Sequence, residues 1–179
     1  MEIINAPVII CVSGLKNAGK TTCIESILPL LVNKGLQVAV IKHDGHDFEA
    51  DVRGTDTYRH KQAGAYGTAI FSKSKYMVVK EEEEPTISQL VHYFPEADII
   101  LVEGLKYSSY PKIEIIRIDN STVMSCNQDT VIAYVSDIEI STNKRVFGLN
   151  QYAELAEFIV TFYRKERELY GKSRSDMYK

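Results

Sequence analysis

The chain has no tryptophan among its 179 residues, only three cysteines and five prolines, and no excess of positive charge. Cys11, Cys23 and Cys126 are an odd number with no C-x-x-C pair, which excludes a disulfide framework and a zinc site as the organising element. Cys11 lies in an apolar strand pattern and Cys23 in a helix pattern, so both read as buried packing. A formal net charge of -3 with pI near 5.8 excludes broad electrostatic binding to nucleic acid or to an anionic membrane. Any anionic ligand must be gripped locally. Long apolar runs are also missing: Val8 to Val12 is the longest near the start, far short of the roughly 18 residues that cross a bilayer, and no cationic segment precedes it. No membrane span and a cytoplasmic location are therefore expected.

What is present is ordinary for a globular chain: 45% apolar residues, 25% charged residues and ten glycines. A domain of this size can bury roughly 70% of the surface exposed by its unfolded chain, so a core can hold it without staples. Val8 to Val12 is short, continuous and β-branched, the pattern of a strand buried on both faces of a parallel sheet. After a glycine-rich turn, Ile24, Ile27, Leu28 and Leu31 recur at helical spacing until Gly35, predicting a helix of about four turns. Val38 to Ile41 then reads as a second buried strand, completing a β-α-β unit.

Lys42 to Gly54 has no apolar period and reads as a long loop at a strand's carboxyl end. A short helix over Thr55 to Ala63 and strands over Thr68 to Ser72 and Tyr76 to Lys80 follow. Thr86 and Gln89 have capping-box spacing. Strands are predicted over Ile99 to Val102, Ile113 to Ile118 and Val131 to Val135, the last clear one. The stripe Tyr152, Leu155, Ala156, Ile159, Tyr163 marks a terminal helix, with a frayed end from Gly171. The simplest architecture is one α/β domain over 1–171, a mostly parallel sheet flanked by helices, and a polar tail over 172–179.

Gly14-Leu15-Lys16-Asn17-Ala18-Gly19-Lys20-Thr21 matches G-x-x-x-x-G-K-[ST] between a predicted strand and a predicted helix, the setting that a P-loop requires. Glycines let backbone N-H groups approach phosphates, and the helix N-terminus aims unsatisfied amides at them. Gly14, Asn17, Ala18, Gly19, Lys20, Thr21 and Thr22 are thus the nucleotide-binding candidates, Lys20 as a point charge on the β and γ phosphates and the Thr21 hydroxyl as a magnesium ligand. Glu103, ending the strand Ile99 to Val102 at the same sheet edge, is the candidate for the second acidic group at the metal and for catalysis. Asp44, Asp47 and Asp51 lie in the long loop on that side, and Asp51 is the choice for orienting a magnesium-bound water. A loop closing over phosphates is favoured over a transition-metal site for His43-x-x-His46. His60 and His92, in helical patterns, are read as structural or solvent-facing.

These blocks resemble the MobB family of GTP-binding accessory proteins in molybdopterin-guanine dinucleotide biosynthesis. The resemblance rests on NAGKTT, on IKHDGHDFEADVRGTDTYRHKQAGA at 41–65, on ILVEGLK at 100–106, on PKIEIIR at 111–117 and on VIAYVSD at 131–137. It implies a P-loop α/β fold, GTP with magnesium, slow hydrolysis at best, a homodimer and a partnership with the molybdopterin guanylyltransferase. Gly14, Gly19, Lys20 and Thr21 match the family's phosphate site, Glu103 and Gly104 its second acidic motif, and Lys42, His43, His46, Asp51, Gly54 and Asp56 its loop signature. Leu15 follows the first glycine directly, so the trans-acting lysine of some related ATPases is not assigned. For the base, Ser136-Asp137 follows a buried strand at the nucleotide edge, and a carboxylate accepts from guanine N1-H and the N2 amine together. Asp137 is therefore the candidate guanine reader, with ending the strand as its alternative role. The competing activity is a small-molecule P-loop kinase, for which Arg53 and Arg59, the only arginines before Arg117, supply little material for a lid.

Overall fold

The computed structural model describes the backbone of residues 6–45, 48–120 and 122–177 and the side chains as far as residue 169. In chain order the elements are β1 (Val8–Gly14), α1 (Lys20–Val32), β2 (Val38–Lys42), α2 (Asp56–Gln62), β3 (Gly67–Phe71), β4 (Tyr76–Lys80), α3 (Ile87–Val91), β5 (Ile99–Glu103), β6 (Lys112–Ile116), β7 (Val131–Ser136), β8 (Arg145–Phe147) and α4 (Tyr152–Met177). Their contacts form two compact units: residues up to His43 together with those from Val91 onward, and Asp44–Leu90 between them.

The first unit is a six-stranded sheet in the order β2-β5-β1-β6-β7-β8, parallel at every pairing. Because side chains alternate along a strand, Val8, Ile10 and Val12 of β1, Ile99 and Leu101 of β5, and Ile113 and Ile115 of β6 share one face. That face packs against Cys23, Ile24, Ile27 and Leu31 of α1 and Leu155, Ala156 and Ile159 of α4. Each fully buried aliphatic side chain there contributes roughly 1.5–3 kcal/mol. The central strands thus bear out a P-loop-type parallel sheet flanked by helices.

The opposite face of β6 buries two charged residues beside Ile116, which packs with Cys126, Val131 and Tyr134. The Lys112 ammonium donates to Ser108 O (2.7 Å), Tyr110 O (2.8 Å) and Thr130 Oγ1 (2.8 Å). Two residues on, the Glu114 carboxylate accepts from the Ser125 hydroxyl (2.9 Å), the Ser125 and Cys126 backbone N-H groups and Gln128 Nε2. Burial and the neighbouring Glu114 push the Cys126 thiol up to about 12, so it packs as a neutral group. Lys112 and Glu114 thereby pin the long loops flanking β6 to the sheet where, among the described residues, α1 and α4 do not reach.

Several expectations are corrected. β2 is the sheet's edge and not a strand buried on both faces, because β5 inserts between it and β1; Val40 is 39% exposed. The short β8 adds a strand beyond β7. Helix α4 continues through Gly171 to Met177, where a frayed tail was expected: a single glycine costs about 1 kcal/mol in a helix, and the Lys, Arg and Ser that follow can propagate it. In the second unit, β3 and β4 pair antiparallel as a two-stranded sheet of their own, Thr55 caps α2 by accepting from Tyr58 N, and the expected capping box is formed, Gln89 Oε1 accepting from Thr86 N at 2.7 Å and Thr86 Oγ1 from Gln89 N at 3.3 Å.

Removing the Glu114 carboxylate leaves the buried N-H groups of Ser125 and Cys126 without acceptors, at about 1–3 kcal/mol each. Glu114→Ala should therefore lower the unfolding free energy by about 3 kcal/mol or more in urea titrations, and Glu114→Gln, which keeps an acceptor oxygen, by clearly less; equal losses would show that the hydrogen bonds are not the stabilising feature.

Candidate functional site

The nucleotide-binding candidates converge where β1 passes into α1. Gly14 ends β1 at φ +142, and a Cβ on it would stand 2.5 Å from the backbone oxygen of Ile115 on β6. Only glycine fits. The turn then places Asn17 (φ 64) and Gly19 (φ 92) in the left-handed region, with the Ala18 N-H donating to Leu15 O at 3.3 Å and Ala18 buried beneath. Such a turn gathers N-H groups into a concave anion nest. Gly19 provides no side-chain cap, the first turn of α1 carries no acid, and the first intrahelical bond recorded at the cap is Cys23 N-H to Gly19 O at 2.9 Å. Helix geometry leaves the N-H groups of Lys20, Thr21 and Thr22 without carbonyl partners inside α1. The loop is secured from outside the motif by Asn120, whose Nδ2 donates to Lys16 O at 2.6 Å.

The Lys20 ammonium folds back over the loop, donating to Leu15 O at 2.7 Å and more weakly to Gly14 O at 3.4 Å. Burial holds its pKa below the usual lysine value; Glu103 opposes that shift, and Lys106 and Lys42 reinforce it. Beside it, Thr21 Oγ1 donates to Glu103, 3.1 Å from both carboxylate oxygens. Glu103 reaches this point because β5 runs beside β1 with Glu103 in register with Val12. Two bonds clip the strand ends together: Ser13 Oγ to Gly104 O, and Gly104 N-H to Val12 O at 3.0 Å.

A hydroxyl and a carboxylate are hard oxygen ligands, and neighbouring ligands in an octahedron with 2.0–2.1 Å bonds lie about 2.9 Å apart. The 3.1 Å spacing of Thr21 and Glu103 would suit two neighbouring ligands of a magnesium ion. Among the described residues no group of three or more His, Cys, Asp or Glu side chains could hold a metal ion; His46 and Asp47 lie outside the described residues, and His60 falls on α2.

Asp51 belongs to the second unit. There its Oδ1 accepts from Thr57 Oγ1 at 2.9 Å and Thr55 Oγ1 at 3.4 Å, while Oδ2 is buried without a hydrogen-bond partner. Asp137 follows β7 at the carboxyl edge of the sheet, and its Oδ1 accepts from Ile118 N at 2.9 Å. Arg117 Nε stands 3.5 Å from Oδ2. The Ile118 N-H, helped by Arg117, holds the carboxyl below the ordinary aspartate value despite partial desolvation. Asp137 thus ties the ends of β6 and β7 together. Asn120 carries no local signature in the sequence, because its bond spans 104 positions.

The family model for molybdopterin guanine dinucleotide synthesis protein B, MobB, matches residues 9–137. The chain is 30% identical over 155 residues to the molybdopterin-guanine dinucleotide biosynthesis adapter protein of Escherichia coli, covering 83% of this chain and 89% of that protein. It is 27% identical over 151 residues to the protein of the same name from Haemophilus influenzae, covering 83% and 85%. The crystal structure of Bacillus subtilis MobB superposes with a TM-score of 0.69 at 26% identity, over 86% of this chain and 96% of that one.

The glycines give a graded test of the loop. Gly14→Ala forces both a left-handed φ and a clash with the Ile115 backbone, so it should cost roughly 2–5 kcal/mol of stability in chemical denaturation. Gly19→Ala meets open space and bears only the φ strain, about 1–2 kcal/mol. The reverse order would refute the close approach of β1 to β6.

Proposed function

This chain belongs to the MobB family, and we propose that it is a GTP-binding adapter in molybdenum cofactor biosynthesis, acting in the cytoplasm beside the guanylyltransferase that joins a guanine nucleotide to molybdopterin. The observation that carries the reading is the set Lys20, Thr21 and Glu103 on the rim of a glycine-shaped anion nest. Lys20 would exchange Leu15 O for phosphate oxygen, and the N-H groups opening α1 would hold the rest of the phosphate chain. Thr21 and Glu103 would hold magnesium, which when bound neutralises the phosphates and polarises the terminal phosphoryl group. Glu103 is proposed to support the slow hydrolysis we assign to the protein. Asp137 is proposed to read guanine through Oδ2, which Ile118 does not use and which Arg117 Nε holds only at 3.5 Å.

The relatives reported are adapters in this pathway and support that role over the kinase alternative. Arg53 and Arg59, the arginines expected of a kinase lid, pair with their local acids Glu49 and Asp56. We also propose a homodimer. The β3–β4 hairpin exposes Phe71 (85%), Tyr76 (64%) and Ile70 (52%), and an isolated two-stranded sheet is marginally stable in water, so a second copy covering it is the economical partner. Among the described residues no helix is long and apolar enough to cross a membrane.

Titration calorimetry should give GTP binding that Lys20→Ala weakens about ten- to hundredfold, while Glu103→Gln mainly lowers the magnesium dependence. Unchanged affinity in Lys20→Ala would remove the P-loop from nucleotide binding. In reconstitution with the guanylyltransferase, the wild-type protein should raise dinucleotide formation without phosphorylating any added metabolite, and the same preparation should sediment at twice the 20.2 kDa chain mass. A stoichiometric phosphoryl product would reinstate the kinase.

A further inference from the structure

Asn120 belongs to none of the motifs above, yet its amide reaches the P-loop, where Nδ2 donates to Lys16 O at 2.6 Å. Both residues are exposed, so the bond adds little to the stability of the fold as a whole. Its effect is on the direction one peptide faces. Leu15 to Ala18 form a turn closed by the Ala18 N-H on Leu15 O at 3.3 Å, with Lys16 and Asn17 at its centre. Asn17 has φ 64, and among the described non-glycine residues only Leu105 shares a positive φ, so Lys16 lies in the negative region. A negative φ followed by a positive one is the signature of a type II turn.

Type II is the strained choice for this sequence. Its third position favours glycine, whereas Lys-Asn fits a type I turn as readily, and there Asn17 would return to negative φ. The two turns differ by a flip of the peptide between Lys16 and Asn17. That peptide is planar and trans, so its C=O and N-H point in opposite directions. While Lys16 O faces Asn120, the Asn17 N-H faces away from it. A flip would exchange them, replacing a donor for phosphate with a carbonyl oxygen that repels it. One hydrogen bond and the strain of one left-handed residue are comparable in size, so the bond from Asn120 is large enough to decide between the two turns.

Asn120 can impose this choice because its own segment is fixed. Its backbone N-H bonds Arg117 O at 3.0 Å, and the Ile118 N-H bonds Asp137 Oδ1 at 2.9 Å. Further along, the Ser125 and Cys126 N-H groups end on the buried Glu114 carboxylate. Leu15 O, by contrast, is held at 2.7 Å by the Lys20 ammonium, which phosphate would draw away. We propose that Asn120 is a positioning residue for the phosphate site: it locks the Lys16–Asn17 peptide so that the Asn17 N-H stays turned toward the anion nest both before and after a ligand arrives. This inference rests on the nucleotide-binding reading above but not on the identity of the base.

Titration calorimetry with magnesium tests it. Asn120→Ala should weaken GTP and GDP by the same factor of about ten, the factor by which the competent turn becomes rarer, while its urea midpoint stays at the wild-type value. Asn120→Asp, which keeps the shape but loses the donor, should weaken both at least as much. Adding Asn17→Gly to Asn120→Ala should restore most of the affinity, because glycine adopts the positive φ without strain. In the ligand-free protein, the NMR coupling constant that reports φ at Asn17 should move toward the negative region in Asn120→Ala. Wild-type affinity in Asn120→Ala, a loss that Asn17→Gly does not relieve, or a loss of affinity matched by a fall in the urea midpoint would each overturn the proposal while leaving nucleotide binding in place. Failure of the wild type to bind either nucleotide would overturn both readings.

Discussion

The placement of β1 between β5 and β6 is the constraint on which the rest of the site depends. Its register on one side sets Val12 against Glu103, and on the other sets Gly14 against Ile115. The first pairing delivers a carboxylate to the strand end where Thr21 opens α1; the second brings backbone so close that a side chain is excluded. A parallel sheet places all its carboxyl ends on one edge, so strands separated by many residues can each contribute one group to the same small volume. A one-residue slip of β5 would turn Glu103 to the opposite face, away from α1.

That geometry explains how an acidic chain can attract an anion. Net charge acts over distances comparable to the Debye length, about 8–10 Å, whereas a contact ion is decided by groups inside that range. At the rim the Lys20 ammonium and the N-H groups that open α1 supply a local positive end even though the molecule carries -3. Lys112 and Glu114, also charged, take no part. Both are fully buried and satisfied by loop groups on the other face of the sheet, so they specify where the loops lie.

Much of this was legible in the sequence for local reasons. The P-loop, the Thr86–Gln89 capping box and the strands around Ile10, Leu101 and Val135 are written within windows of a few residues, where spacing maps directly onto geometry. Glu103 was legible because a carboxylate ending a buried strand has few other places to go. The order of strands was not: whether β2 or β5 adjoins β1 depends on non-local pairing, and the apolar run Val38 to Ile41 suits a central or an edge strand equally. Asn120 was not legible for the same reason, since it acts through a contact 104 positions away. The helix beyond Gly171 shows the opposite failure, a polar end expected to fray that stays helical to Met177.

The site's interactions fall into two kinds, and the division bears on what an adapter needs. The approach of Gly14 to Ile115, the Asn120 bond to Lys16 O and the clip between Ser13 and Gly104 involve backbone atoms that a phosphate does not replace. The bonds from Lys20 to Leu15 O and from Thr21 to Glu103 use the groups that would contact phosphate and magnesium. Under the proposed reading, loading a nucleotide would exchange the second kind while the first holds the cradle in shape, so little conformational entropy would be lost at the moment of binding. Because a ligand can bias a partner only through states it stabilises differently, the exchangeable bonds around Lys20 and Glu103 are where, on the proposed reading, occupancy would be converted into a signal to a second protein.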